Sequence, residues 1–247
     1  MKIDLCMWVQ NGSYCLPTVL RGIEDAIPSE IVGNKIIVDD HSVDNTRRIG
    51  KEFNWYIYEN TKGGIGNSAN LALSEVKTPL FASFEQDVLL TRNWFSRIIK
   101  HISKPNVAVA QGWRLSTNRI LNFLHYEMRP TYSLDNNIYK TNVIRRLGGF
   151  PANVKYGVDC LLRHRVLNAG LSWVTDPNVI SNHIKPLSPF IYMKKGSFHA
   201  EDYQTLLVEG ALPISVGTFI NLLMYSTSKL FRSFLLHKPF KAPRSVA

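Results

Sequence analysis

The stretch Glu85-Gln86-Asp87 sets two carboxylates two residues apart, directly after the apolar run Pro79 to Phe84. Two readings fit. A solvated turn is one, because aspartate favours turns and every strand must end. A hard-cation site is the other, because carboxylates so spaced at a strand's end can converge on Mg2+ or Mn2+. Three further polar groups follow apolar runs: Gln10-Asn11, Asp39-Asp40 with Ser42, and the glycine turn Thr61 to Asn70. Paired carboxylates satisfy the donors of a nucleobase or ribose. Glycines ahead of a helix let backbone N–H groups approach an anion. The turn is no Walker loop, since neither Gly-Lys-Ser nor Gly-Lys-Thr occurs in it. Plainer alternatives stay open: a helix-capping turn at Asp39-Asp40, an ordinary turn residue at Asn11, and a structural loop for the glycines.

Such groups share one site only if the elements before them run side by side. Residues 3 to 9 predict a strand, and about Tyr14 to Ala26 a helix. "NKIIVDDHS" predicts a second strand, with Asp44 capping a short helix through Glu52. "WYIYEN" and "PLFASF" predict two more strands, separated by the helix "SANLALSEV". This alternation predicts an α/β fold whose mostly parallel sheet binds ligands at the strands' carboxyl ends. Beyond Thr91 the pattern gives a helix to His101, a strand "NVAVAQGW" ending near Trp113, and no assignment from Arg114 to Asn137. "IYKTNVIRRLGGF" predicts a short strand, a Thr141 cap, a helix and a glycine stop. Asp159 to Asn168 predicts a helix, and "SWVTDPNVISNHIKPL" strand material broken at Pro177.

The chain has 247 residues, a hydrophobic fraction of 45% and a net charge of +10. It can bury a real core, which argues against disorder. The charge admits nucleic acid, an anionic membrane or a phosphorylated substrate. Three scattered cysteines make no disulfide framework, and the first residues lack a signal peptide's features, so a cytoplasmic protein is expected. After Glu209 only basic charges remain. Val216, Ile220, Leu223, Leu230 and Phe234 fall near one helical face, which suits a helix at the inner membrane surface, on the domain itself, or across a homodimer.

In order and spacing, "IIVDDHSVDNT", "GGIGNSAN" and "FEQDVLL" resemble the large inverting family of nucleotide-sugar glycosyltransferases with the GT-A fold (family 2-like). The resemblance covers most of residues 3 to 185. It implies a GT-A, Rossmann-like sheet and a donor site formed by Asn11, Asp39, Asp40, Ser42, Gly64, Gly66, Asn70, Glu85 and Gln86, with Asp87 on Mg2+ or Mn2+. Asn70 would brace the glycine turn. "GVDCLLRHRVLNAG" places Asp159 on the family's catalytic base and Arg165 on its arginine. His183 would complete the metal shell or touch the diphosphate. The sequence departs from the pattern at Glu85, usually aspartate, at Val158, usually glutamate, and at Leu161, usually a second acid.

The implied organisation is a catalytic domain over residues 1–204, with a donor half to about 100 and an acceptor half after it, then a basic amphipathic helical extension over 205–247. The implied reaction transfers a sugar from a nucleotide-diphosphate donor to a hydroxyl or phosphate, with a glycan or polyprenyl phosphate as acceptor. A nucleotidyltransferase, an inactive relative and a nucleic-acid-binding protein are the rivals. The nucleic-acid reading is disfavoured, because acids line the proposed sheet edge.

Overall fold

A computed structural model describes residues 2–116, 132–155 and 157–184. Its sheet has eight strands: β1 (Ile3–Val9), β2 (Val32–Asp39), β3 (Tyr56–Glu59), β4 (Leu80–Glu85), β5 (Val88–Leu89), β6 (Val107–Ser116), β7 (Asn137–Lys140) and β8 (Ser172–His183). Their order across the sheet is β3-β2-β1-β4-β7-β6-β8-β5. β1, β2, β3 and β4 are parallel, β7 runs against β4 and β6, and β8 runs parallel to β6 but antiparallel to β5. The carboxyl ends of β1, β2, β4, β6 and β8 therefore meet on one edge. This is the expected mostly parallel α/β sheet.

Helices cover both faces, since parallel strands are apolar on both sides. β1 is buried along its whole length. Leu5 and Met7 pack with α1 (Leu16–Ala26) and α4 (Trp94–Ile102), whereas Cys6 and Trp8 pack with α3 (Ile65–Glu75), α5 (Thr141–Arg146) and α6 (Val158–Asn168). The short α2 (Thr46–Glu52) follows β2. Asp44 receives the Thr46 N–H at 2.9 Å and the Ser13 N–H at 3.1 Å, so it ties the start of α2 to the loop after β1.

Two predicted boundaries change. Thr141 is the first residue of α5 and no cap: its hydroxyl donates to the Thr78 carbonyl at 2.7 Å. β8 continues through Pro177 because its pairing with β6 skips from Gly112–Asp176 to Trp113–Ile180. Proline has no N–H to donate, and the irregularity removes the need for one. The predicted extension over 205–247, with its membrane or dimer contacts, lies outside the described residues. Among the described residues, no helix is long and apolar enough to cross a membrane.

Gly66 shows how closely the two halves approach. A β-carbon there would lie 2.2 Å from the Pro151 carbonyl oxygen and 2.9 Å from the Ala152 Cα. Backbone cannot swing aside as a side-chain tip does. Gly66→Ala is expected to destabilise the fold by about 1–3 kcal/mol, the usual penalty for overpacking, measured by urea unfolding. An unchanged denaturation midpoint would show that the 151–152 loop yields freely.

Candidate functional site

A pocket of about 240 Å³ opens at the strands' carboxyl edge, lined by Trp8 and Val9 of β1 and Gln10 just after it, Asp40 after β2, Ile65 and Ser68 of α3, Glu85 at the end of β4, and Gln86 and Asp87 after it. Size does not single it out. Larger hollows of about 510 Å³ beside Lys35 and 470 Å³ beside Asp176 lack its paired carboxylates.

The first wall is built from β1 and β2. Val9 and Asp39 are register partners, and the Asp40 N–H donates to the Val9 carbonyl at 2.8 Å. Asp39 is fully buried and faces inward: its Oδ2 receives Arg47 Nε at 2.6 Å and the Ser42 N–H at 3.1 Å, and its Oδ1 has no hydrogen-bond partner. Ser42 Oγ receives the Asn11 N–H, and Asn11 Oδ1 receives the Val43 N–H. Asn11 and Ser42 therefore hold each other's loops. Asp40 is the carboxylate of this group that reaches the pocket.

The glycine turn differs from expectation. Its Gly64 N–H donates to Asp40 Oδ2 at 3.1 Å, so the anion at the start of α3 is Asp40 itself. Asn60 organises the turn by accepting the N–H groups of Lys62 and Gly63 and donating to the Gly64 carbonyl and Ser68 Oγ. Gly66 is buried against the 151–152 loop and does not reach the pocket. Asn70 braces a different segment from the one expected. It donates to the Phe150 carbonyl at 2.7 Å and receives the Phe150 N–H at 2.8 Å.

The second wall is the β4–β5 turn. Gln86 clamps β1: its Oε1 receives the Gln10 N–H at 2.8 Å and its Nε2 donates to the Gln10 carbonyl at 3.0 Å. The carboxamide is thereby engaged with protein. Asp87 offers its carbonyl to the Ile184 N–H at 2.7 Å, and Val88 pairs with His183. The main chains of Asp87 and His183 are thus near one another across the β5–β8 ladder, with Ile184 opposite Asp87.

Glu85 faces two groups that the sequence did not single out. Arg114 Nη1 donates to Glu85 Oε2 at 3.1 Å and to Asp135 Oδ1 at 3.0 Å. Burial chiefly raises the Glu85 carboxyl above the usual carboxylate range; Asp135, Asp87 and Asp159 add to this, and Arg114 opposes it. The Arg114 guanidinium is held charged above all by Asp135. Asp135 fell in the unassigned stretch. Arg114 carried one signal, a lone cation at the end of an apolar run, but its partners depend on β7 lying between β4 and β6.

Asp159 stands in the first turn of α6, following Gly157 at φ 83°. Burial raises its carboxyl above the ordinary value, opposed by the Cys160 N–H and by Arg114. Its charge adds, least of the three acids, to the raising of Glu85, and it is not among the residues lining the pocket where the carboxylate cluster sits. Arg165 does not join that cluster. It lies in the last turn of α6, and its Nη1 would be 3.9 Å from a β-carbon built at Gly148, in the turn after α5. The departures at Val158 and Leu161 have a physical setting: both side chains are buried in the core beneath α6.

A divalent cation can be tested against these residues. The donors are hard carboxylate oxygens, which suit Mg2+ or Mn2+. Among the described residues, no group of three or more His, Cys, Asp or Glu could hold an ion unaided. Such ions commonly take one or two carboxylates and complete their shell with substrate phosphates and water, so the residues fit an ion delivered with a diphosphate.

A family model described as glycosyl transferase family 2 matches residues 33–171, more than half of the chain. Among solved structures, the mannosyltransferase PcManGT from Pyrobaculum calidifontis, in complex with GDP-Man and Mn2+, is similar at a TM-score of 0.66 and 17% identity, over 85% of this chain and 69% of that one. TarS residues 1–349 from S. aureus, in complex with UDP-GlcNAc, is similar at a TM-score of 0.67 and 15% identity, over 85% of this chain and 65% of that one. Against a longer TarS structure the alignment takes in 42% of that chain, so this sequence spans only part of such proteins. No curated protein sequence matches the chain.

Proposed function

The chain belongs to glycosyl transferase family 2, and from that premise we propose that it moves a sugar from a nucleotide-diphosphate sugar to an acceptor hydroxyl or phosphate, with inversion. The observation that supports this most is the meeting of Asp40, Glu85 and Asp87 in one pocket at the sheet edge. Donors of the kind held by PcManGT and TarS match its chemistry. Asp40 accepts hydrogen bonds from the nucleoside, while Asp39, Asn11 and Ser42 fix the loop that carries it. Asp87, with His183 of β8 as the second ligand, would hold Mg2+ or Mn2+. When bound, that ion neutralises the diphosphate and makes the nucleoside diphosphate a better leaving group.

Asp159 is the general base. It takes the acceptor hydroxyl's proton as that oxygen attacks the anomeric carbon opposite the departing diphosphate. A carboxyl raised by burial binds that proton more readily than a solvated one does. In this reading residues 1–204 form the catalytic domain, and the basic segment 205–247 meets the inner membrane face, where lipid-linked glycans or polyprenyl phosphates are acceptors. Arg165, near the other end of α6 and beside Gly148, is given no role on the diphosphate in this reading.

A thermal-shift screen of UDP, GDP, CDP and their sugar conjugates, each with and without Mn2+, tests the reading. A ligand that binds only the folded state raises its stability. One nucleotide is expected to raise the melting temperature by on the order of 5 °C at a hundredfold excess over its dissociation constant. That shift should need Mn2+, and Mn2+ alone should give little. No shift with any nucleotide in folded protein would overturn the reading.

A further inference from the structure

Glu85 and Asp87 flank the same turn, and the Arg114 guanidinium feels both charges, the nearer being Glu85. Arg114 Nη1 contacts Glu85 at 3.1 Å and Asp135 at 3.0 Å, and Asp135 is fully buried. A guanidinium stays protonated throughout the accessible pH range, so Arg114 remains a donor to Glu85 Oε2 whether or not that carboxyl is ionised. Backbone geometry fixes it. The Asn136 N–H donates to the Ser83 carbonyl at 2.8 Å, and the Gly112 N–H donates to the Asn136 carbonyl at 3.1 Å. Asp135 is thereby tied to β4 and β6 at once, with Arg114 between its carboxylate and Glu85. The extra methylene of Glu85 relative to aspartate lengthens its reach toward that cation. Asp87 lies beyond β4, where its own main chain meets β8.

Resting on the glycosyltransferase reading, we propose that Arg114 and Asp135 are positioning residues that hold the Glu85 carboxyl on the guanidinium. They keep Glu85 out of the divalent cation's coordination shell and leave the cation to Asp87 and the donor's diphosphate. A site with one fewer protein carboxylate holds the bare ion poorly and the nucleotide-borne ion well. Metal and donor then arrive as a unit, and each raises the other's affinity by the same factor.

The test reads Mn2+ binding to the full chain from loss of the free-ion electron paramagnetic resonance signal, without nucleotide and with UDP or GDP. Arg114→Met combined with Asp135→Asn removes one charge of each sign and leaves the net charge unchanged. This pair of changes is expected to tighten Mn2+ binding in the absence of nucleotide about tenfold, because affinity follows the number of charged ligands. The gain should vanish when Glu85→Gln is added. Glu85→Gln alone should leave nucleotide-dependent Mn2+ binding within about threefold of wild type, the size of a field effect in a solvated site.

The inference is overturned if Glu85→Gln alone weakens that binding as much as Asp87→Asn does, or if the paired variant gains nothing. It is also overturned if the gain survives without Glu85. Should the paired variant fail to fold, Arg114→Lys serves in its place. Lysine is shorter and carries one compact ammonium, which does not reach the place of Nη1 between the two carboxyls, so a smaller gain of the same sign is expected, and no gain overturns the inference. Wild-type protein that binds no Mn2+ with either nucleotide would overturn the functional reading and this inference with it. Wild-type binding that Glu85→Gln destroys would overturn this inference alone.

Discussion

Asp87→Asn is expected to lower sugar transfer on the order of a thousandfold, because losing the cation's charge stabilisation removes several kcal/mol from the transition state. The same change should abolish the Mn2+-dependent part of the nucleotide thermal shift and leave the fold intact. Its effect is confined to the side chain: the Asp87 carbonyl still receives the Ile184 N–H, so the β4–β5 turn keeps its tie to β8. Asparagine keeps the shape and loses the charge, and a neutral amide is a poor ligand for a hard divalent ion. Initial rates at rising Mn2+ concentration provide the check. Partial recovery at high metal would mark a loss of affinity, whereas full activity at ordinary metal would remove Asp87 from the site.

The sequence carried the first four strands well because each ended an apolar run on polar residues that could not remain in a core. Gln10, Asp39-Asp40 and Glu85-Gln86-Asp87 marked the strand ends, and parallel pairing brought those ends together. What stayed hidden was the direction of each side chain. Asp39 and Asp40 look alike in sequence, yet one turns inward to Arg47 and the other lines the pocket. Gln86, Gly66 and Asn70 stand in the right segments but contact the Gln10 main chain, the 151–152 loop and Phe150. Arg114 needed the order β4-β7-β6, a long-range arrangement that no local pattern encodes. Arg165 followed the helix period to the far end of α6, two turns from Asp159.

Val158 and Leu161 raised the prospect of an inactive chain, since acids are usual at both places in the resembled pattern. Their burial under α6 means that a carboxylate at either position would need a partner inside an apolar cluster. The apolar residues suit that environment. Asp159 is therefore left as the acid of α6, the residue that the proposed reaction uses as its base.

Asp159→Asn is accordingly expected to lower the turnover number on the order of a thousandfold, within the usual range for removing a general base, while the metal-dependent nucleotide shift persists. That split separates it from Asp87→Asn, which loses both. Stability should move the other way. The folded Asp159 carboxyl is raised above its unfolded value chiefly by burial, so the folded state binds its proton more tightly. The resulting stabilisation is complete below the unfolded pKa and is lost as pH rises through the folded one. At neutral pH the ionised, buried carboxylate is a liability, and asparagine removes it. The variant should melt no lower than wild type at pH 7, and any advantage should disappear in acid. In wild type, kcat should fall tenfold per pH unit below the raised value, placing the acid limb above that of a solvated aspartate. Melting and rate profiles from pH 4 to 8 measure both. Loss of activity accompanied by a lower melting point at pH 7 would make Asp159 a structural residue and remove it as the base.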